Sequence, residues 1–352
     1  MTMKLVSYDN GGKNMKKSLA LLLAAALLLA IFALVGCNKD GNADGENLSL
    51  CVVVPSEFGD KSFNDSAKEG AERLKEDLGV KVSTIECNNE NYKQNMIAAA
   101  AENDFVVPVG WEFSEIKEVA AENPDVKFIW VDNVVDGIED CPNILCITYE
   151  QNEGSFLAGY IAAKMSQTNA VGVVGGEDSS VINDFIVGYE QGAKYANAGI
   201  QVYKNYTGDY ESPEKGKIAA EELHAKGADV IFQVAGNTGN GVFQAAKEGG
   251  FYAIGVDQDQ KISAPEYDDV IICSMKKDIG STIYDAVKSY IEDEVWDGGT
   301  NWIVGIEDGY ISITYGGAES KQMVDDDTKK EVVDLSKKIA AGSIKVDTAR
   351  TM

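Results

Sequence analysis

Histidine is almost missing from this sequence. The 352 residues hold one, His224, so neither a multi-histidine zinc site nor a Ser-His-Asp triad built on another histidine is available. His224 lies in the helical pattern EKGKIAAEELHAKG, where a solvated face is expected. Cysteine is scarce as well: six, irregularly spaced, are too few for a disulfide scaffold. Cys51, Cys146 and Cys273 sit in apolar runs and read as small core residues, while Cys87 and Cys141 lie near loops and leave a bridge between them open. Positive charge is in deficit. With 31 Lys and Arg against 57 Asp and Glu, the net charge is −26. That argues against nucleic acid and anionic membrane surfaces as partners, and disfavours a highly anionic ligand unless local basic groups override the field. A neutral or cationic small molecule fits better. The sequence contains no G-x-x-x-x-G-K-[ST], which argues against a nucleotide-hydrolysing loop, and no short repeat or low-complexity tract interrupts the folded part.

What is present is apolar and regularly patterned. Hydrophobic residues make up 45% of the chain, enough for a large core, and the length points to about two domains. Near the amino terminus Met15-Lys16-Lys17 opens a positively charged segment, Leu19 to Val35 is apolar, and Leu34-Val35-Gly36-Cys37 follows. This looks like a secretory signal ending in a lipobox, with Cys37 lipidated as the first mature residue. An uncleaved membrane anchor would need a similar run; the cysteine at its end favours the lipoprotein. Both readings put the folded part outside the cytoplasm. Asn38 to Asn47 has the composition of a flexible linker.

The stretch Asp229–Gln260 shows the organisation of the remainder. Val230 to Val234 is a short apolar run suited to a buried strand. Gly236, Gly239 and Gly241 follow, then a helical face ended by Gly249 and Gly250, then a strand from Tyr252 to Val256 that delivers Asp257 to its carboxyl end. In open parallel sheets, ligands bind outside the carboxyl ends of strands. Asp257 is therefore the first candidate, and Gly236 the place where backbone N–H groups could face a ligand. Strand and helix alternate from Leu48 onward, including helices expected at 112–122 and 277–294, and the pattern starts afresh after residue 148. This predicts an α/β fold of two wound lobes. Residues 48–147 with about 275–305 would form the first, and 148–274 with about 306–345 the second, after a signal segment 1–37 and a linker 38–47. Repeated crossing between lobes makes a hinge.

Three segments then carry a family resemblance. GDKSFNDSAKEG, EGSFLAGYIAAK with VGVVGGEDSSVINDFIVGYEQGAKY, and AGNTGNGVFQAAKEGGFYAIGVDQDQ together resemble the basic membrane protein family, the PnrA-like, purine-nucleoside-binding lipoproteins of ABC importers. The resemblance implies a type I periplasmic-binding-protein fold with three crossovers and a purine ring clamped between Phe63 and Phe185. It implies ribose hydroxyls held by Asp257 and by a lysine of CSMKKD, Lys277 with Lys276 as the alternative. Asn64 and Trp111 would line the cleft. The sequence departs from the family in three places: Pro55-Ser56-Glu57-Phe58 replaces the usual aspartate-glycine step, Trp111 stands where phenylalanine is common, and Asn183 where arginine is frequent.

Each of these residues also has a structural reading. Phe63 and Phe185 could be packing residues, Asp257 could cap the turn after its strand, and Lys277 could be a helix-start charge. The expected function is capture of guanosine, inosine or adenosine for an ABC permease, by a monomer tethered to the membrane through a lipid, with no catalytic residue, cofactor or metal. The alternatives are a ribose-like sugar receptor, a nucleoside-processing enzyme using acids such as Asp257 and Asp259, and a surface receptor.

Overall fold

The computed structural model describes residues 45–88 and 90–350. The expected signal segment, Cys37 and most of the expected linker lie outside the described residues; Gly45–Asn47 forms one 3-10 turn. No helix among the described residues is long and apolar enough to cross a membrane.

The apolar runs become the strands of two six-stranded sheets. The first contains β1 (Ser49–Val54), β2 (Lys81–Glu86), β3 (Phe105–Pro108), β4 (Lys127–Val131), β5 (Ile144–Tyr149) and, from late in the chain, β11 (Thr300–Val304), in the order β11-β5-β4-β3-β1-β2. The second contains β6 (Ala170–Gly175), β7 (Gln201–Tyr206), β8 (Val230–Val234), β9 (Tyr252–Asp257), β10 (Ile271–Lys277) and β12 (Ile311–Thr314), in the order β12-β10-β9-β8-β6-β7. All pairings are parallel except β10 with β12. Inner strands such as β3, β5, β6 and β8 are buried throughout, which is why they read as unbroken apolar runs. The edge strands β2 and β7 contain no fully buried residue.

Ten helices cover these sheets among the described residues: α1 (Phe63–Leu78), α2 (Tyr92–Glu102), α3 (Ile116–Glu122), α4 (Gln151–Met165), α5 (Ser180–Ala196), α6 (Pro213–Ala225), α7 (Gly239–Gly249), the single turn α8 (Gln260–Ser263), α9 (Ile279–Asp293) and α10 (Asp326–Ala340). Helix α1 buries Ala67, Ala71 and Leu74 and ends at Gly79, whose φ of 73° lets its N–H bond back to the last turn. Helices α4 and α5 pack backbone to backbone. A Cβ added at Gly192 would lie 1.8 Å from the Phe156 carbonyl oxygen, and one at Gly188 would lie 2.1 Å from that of Asn152. This contact fixes the face of α5 that carries Asp184 and Phe185.

The chain passes between sheets after β5, after β10 and again after β11. Cross-links tie these passages together: Glu150 N–H donates to the Val304 carbonyl (2.8 Å), Asp278 N–H to the Tyr310 carbonyl (2.8 Å), and the Tyr149 and Thr282 hydroxyls share a 2.7 Å hydrogen bond. The result is the two-lobed α/β architecture expected from the alternation.

Some local expectations change. The helix expected at 112–122 begins only at Ile116, because Phe113 is withdrawn into the core against the Tyr92 ring at 5.5 Å. The helix expected from Lys277 begins at Ile279, with Asp278 as its cap accepting from Ser281 N–H; Lys277 is the last residue of β10. Strand β11 has no counterpart in the sequence reading. His224 is half-buried, not solvated: it stacks on Phe251 at 4.5 Å, with Nδ1 2.8 Å from the Ala228 carbonyl oxygen. Cys51, Cys146 and Cys273 are buried as expected, and Cys87 and Cys141 are buried free thiols with no bridge between them.

Candidate functional site

The carboxyl ends of both sheets open on a cavity of about 330 Å³, in the range of pockets that hold one small molecule. Its walls come from the residues just beyond each strand: Pro55 and Ser56 after β1, Gly110 after β3, Asp132 after β4, Glu177 after β6, Tyr210 after β7, Gly236 after β8, with Asp257 closing β9 and Lys277 closing β10. Phe63, Asn64, Trp111, Phe185, Gly236, Asp257 and Lys277, scattered through the sequence, all line it.

Lys277 is the organising charge. Its side chain is 2% exposed. Its Nζ lies 2.8 Å from Asp132 Oδ2 and 4.0 Å from Asp257 Oδ1. The same ammonium lies 4.9 Å from the centre of the Phe63 ring, 5.2 Å from that of Phe185 and 5.3 Å from that of Tyr149, so rings from α1, α5 and β5 gather around it. Lys276 points elsewhere, pairing with Asp278 at 2.7 Å. Asp257 accepts the Ser62 hydroxyl at 2.5 Å. Burial pushes its carboxyl up, while Lys277 and Ser62 pull it down. Asp132 and Asp257 both adopt left-handed backbone, with φ of 67° and 65°. Aspartate tolerates that region better than most residues, and such conformations gather at functional sites.

Phe185 has a double role, since it also packs 6.4 Å from Phe232. Asn64 is buried, and its amide donates to Ser56 Oγ and the Glu57 carbonyl, both at 3.1 Å, tying the departed loop to α1. Asp60 caps that helix, accepting from the N–H groups of Ser62 (3.0 Å), Asn64 (2.9 Å) and Asp65 (3.1 Å), although burial still pushes its carboxyl up to about 7. Trp111 is 55% exposed at the cavity wall. Of the glycine loop, Gly236 lines the cavity with φ of 55°, whereas Gly241 serves helix packing: a Cβ there would lie 1.7 Å from the Pro213 carbonyl oxygen. Asp259 is not paired with Asp257. It caps α8 and accepts Gly316 N–H at 2.9 Å. No group of acids, cysteines or histidine among the described residues could hold a metal. Asn183, at the position where arginine was noted as frequent, donates to Asp178 and accepts from Tyr206, away from the cavity lining.

The sequence reading missed Asp132, Glu112 and Arg350. Asp132 had a signal: FIWVD at the end of β4 matches AIGVD at the end of β9, so two strands deliver equivalent carboxylates. Arg350 had none. The carboxyl-terminal segment lies along α5, with Thr348 Oγ1 and Ala349 N–H both donating to Asp184 (2.6 and 2.9 Å). Arg350 then reaches Asp132 Oδ1 at 3.0 Å and Gln151 Oε1 at 3.3 Å. Asp132, from the first lobe, is thus held between Lys277 and Arg350, which belong to the second sheet and to the segment strapped on α5.

Known proteins resemble this chain over most of its length. Residues 47–350 match the family described as ABC transporter substrate-binding protein PnrA-like. Basic membrane protein A of Borreliella burgdorferi is 32% identical over 89% of this chain and 91% of its own, and basic membrane protein D of Borreliella burgdorferi strain JD1 is 36% identical over 80% and 83%. Among solved structures, an ABC transporter solute-binding protein from Aeropyrum pernix K1 superposes with a TM-score of 0.76 at 26% identity, covering 86% of this chain and 93% of the other.

Proposed function

We propose that this chain, which belongs to the PnrA-like family of ABC transporter substrate-binding proteins, captures purine nucleosides outside the cytoplasm and presents them to its permease. The observation that carries the reading is that Phe63 and Phe185, from α1 and α5, both line the cavity close to the buried Lys277 ammonium, beside Asp132 and Asp257. A nucleoside has the matching halves: a flat base with two π faces and a sugar with vicinal hydroxyls. Stacking contributes about 1–3 kcal/mol per base, and each hydroxyl donated to a carboxylate about 1.5–3 kcal/mol. Micromolar affinity needs about 8 kcal/mol net; these contacts supply part of it, and burial of the base in the closed cleft has to supply the rest and offset the cost of association. Because the rings come from different lobes, stacking also couples binding to closure. Opening and closing is the whole mechanism; no bond is made or broken. Cys37 would carry the lipid that keeps the monomer at the membrane, and a Cys37→Ala chain should leave the membrane fraction.

The test is calorimetric titration of residues 38–352, unfolded and refolded to strip carried-over ligand, against guanosine, inosine, adenosine, cytidine and ribose. Micromolar or tighter binding of purine nucleosides, with ribose far weaker, supports the reading. Ribose binding as tight as nucleoside binding overturns it in favour of a sugar receptor. Free base released in proportion to protein would make this an enzyme.

A further inference from the structure

Of the carboxylates lining the cavity, Glu112 is the one with a buried oxygen that lacks a hydrogen-bond partner among the described residues. Glu112 sits in the turn after β3, two residues beyond Gly110, where the chain has φ of 109°. Its Oε2 is folded back over that glycine. A Cβ built on Gly110 would lie 2.5 Å from Glu112 Oε2 and 3.8 Å from Phe63 Cε1, so the oxygen and the edge of the Phe63 ring both adjoin Gly110 in the cavity wall. Oε2 is buried and has no hydrogen-bond partner among the described residues. Glu112 is in no ion pair among them either; the charge acting on it is that of Glu177, which follows β6 in the other lobe and lines the same cavity. Burying a carboxylate without a donor is costly. The carboxyl has its own backbone N–H as one donor, which leaves Oε2 open to a donor from what fills the cavity.

The geometry points to Glu112 as the residue that selects the base: its carboxylate receives the N–H edge of a 6-oxopurine, guanine before hypoxanthine, and rejects adenine. This rests on the nucleoside reading above and names the subset of nucleosides that the site takes. A base stacked on Phe63 presents its edge, not its face, to an oxygen that adjoins Gly110 as the edge of that ring does. Guanine offers two adjacent donors there, N1–H and the 2-amino group, which match the two oxygens of a carboxylate. Hypoxanthine offers N1–H alone. Adenine offers its 6-amino group beside an N1 lone pair, which would face a carboxylate oxygen with no proton between them. Sites built around a hydrogen-bonding group discriminate strongly because the wrong ligand leaves that group unpaired. Glu177 adds to the same preference, since a second carboxylate also calls for donors.

The test compares guanosine, inosine and adenosine on the refolded wild-type protein and on Glu112→Gln. Wild type should bind guanosine tightest, inosine next, and adenosine about 100-fold more weakly than guanosine. Glutamine offers one donor and one acceptor, the complement of adenine's edge, so Glu112→Gln should weaken guanosine at least about tenfold and tighten adenosine. Its preference for guanosine over 2′-deoxyguanosine should stay, because the sugar side is untouched. Adenosine binding wild type as tightly as guanosine overturns the inference, as does an unchanged guanosine-to-adenosine ratio in Glu112→Gln; in both cases the nucleoside reading stands. Absence of any nucleoside binding to wild type overturns the nucleoside reading itself. The wild-type ratio decides the matter even if the variant fails to fold.

Discussion

Replacing Asp257 with asparagine isolates one charge of the site with little disturbance to the fold. Asparagine tolerates the left-handed backbone that Asp257 adopts at φ 65°, and its carbonyl can still accept the Ser62 hydroxyl now bound at 2.5 Å. Lys277 keeps Asp132 at 2.8 Å, so no buried cation is orphaned. What changes is the strength of the acceptor. Hydrogen bonds to an ionised carboxylate contribute about 1.5–3 kcal/mol and neutral ones about 1 kcal/mol. Over two ribose hydroxyls the loss is about 2 kcal/mol, or roughly 30-fold in Kd. Titrating wild type and Asp257→Asn with guanosine and with 2′,3′-dideoxyguanosine closes a cycle that separates the hydroxyl contacts from everything else. Wild type should discriminate against the dideoxy compound far more than the variant does. Equal guanosine affinity in the two proteins, or equal discrimination, would refute the assignment of Asp257 to the sugar.

Phe185→Leu keeps much of the core volume behind the ring and should weaken purine nucleosides by about 1–3 kcal/mol while changing ribose binding little, as titration with both ligands would show. Arg350→Met removes the strap's hold on Asp132, while Asp184, the other carboxylate near Arg350, still accepts from Thr348 and Ala349. With Arg350 about one-fifth exposed, a stability loss of about 1–2 kcal/mol is expected in urea titration, discounted from the cost of breaking a fully buried pair. Gly192→Ala puts a methyl 1.8 Å from the Phe156 carbonyl oxygen and should lower the urea midpoint by the equivalent of about 1–3 kcal/mol or more through forced separation of α4 and α5. Burial, opposed by a hydrogen bond from its own backbone N–H and aided by Glu177, pushes the Glu112 carboxyl up to about 7; Tyr92, Cys87 and Tyr210 are the other titratable groups that feel it. Guanine's N–H donors favour the ionised form. Guanosine should therefore release a proton on binding below about pH 7 and bind more weakly as pH falls through that value, which calorimetry in two buffers of different ionisation enthalpy would detect.

The parts of the fold that depend on local pattern were legible. Buried parallel strands read as apolar runs because both of their faces are covered, and α7 was bounded correctly at its end because Gly250 supplies the left-handed cap. The candidate site was legible where a strand end could be located: Asp257 and Gly236 stand there by position, and the family resemblance added Phe63, Phe185 and Lys277. Illegible features depend on distant partners. Arg350 meets Asp132 across 218 residues, and nothing in the last turn of sequence announces it. Glu112 was absorbed into an expected helix, because periodicity does not register that Phe113 turns inward and leaves Trp111 and Glu112 at the cavity wall. Strand β11 is a short edge strand whose pairing with β5 was set by the second passage between sheets, after β10.

The most direct test is a crystal structure of the refolded protein grown with guanosine. The account predicts the guanine ring between Phe63 and Phe185, the ribose hydroxyls on Asp257 and Lys277, and the N1–H edge on Glu112. A guanosine lying outside the two rings, or a sugar ring held between them with the base in solvent, would contradict it.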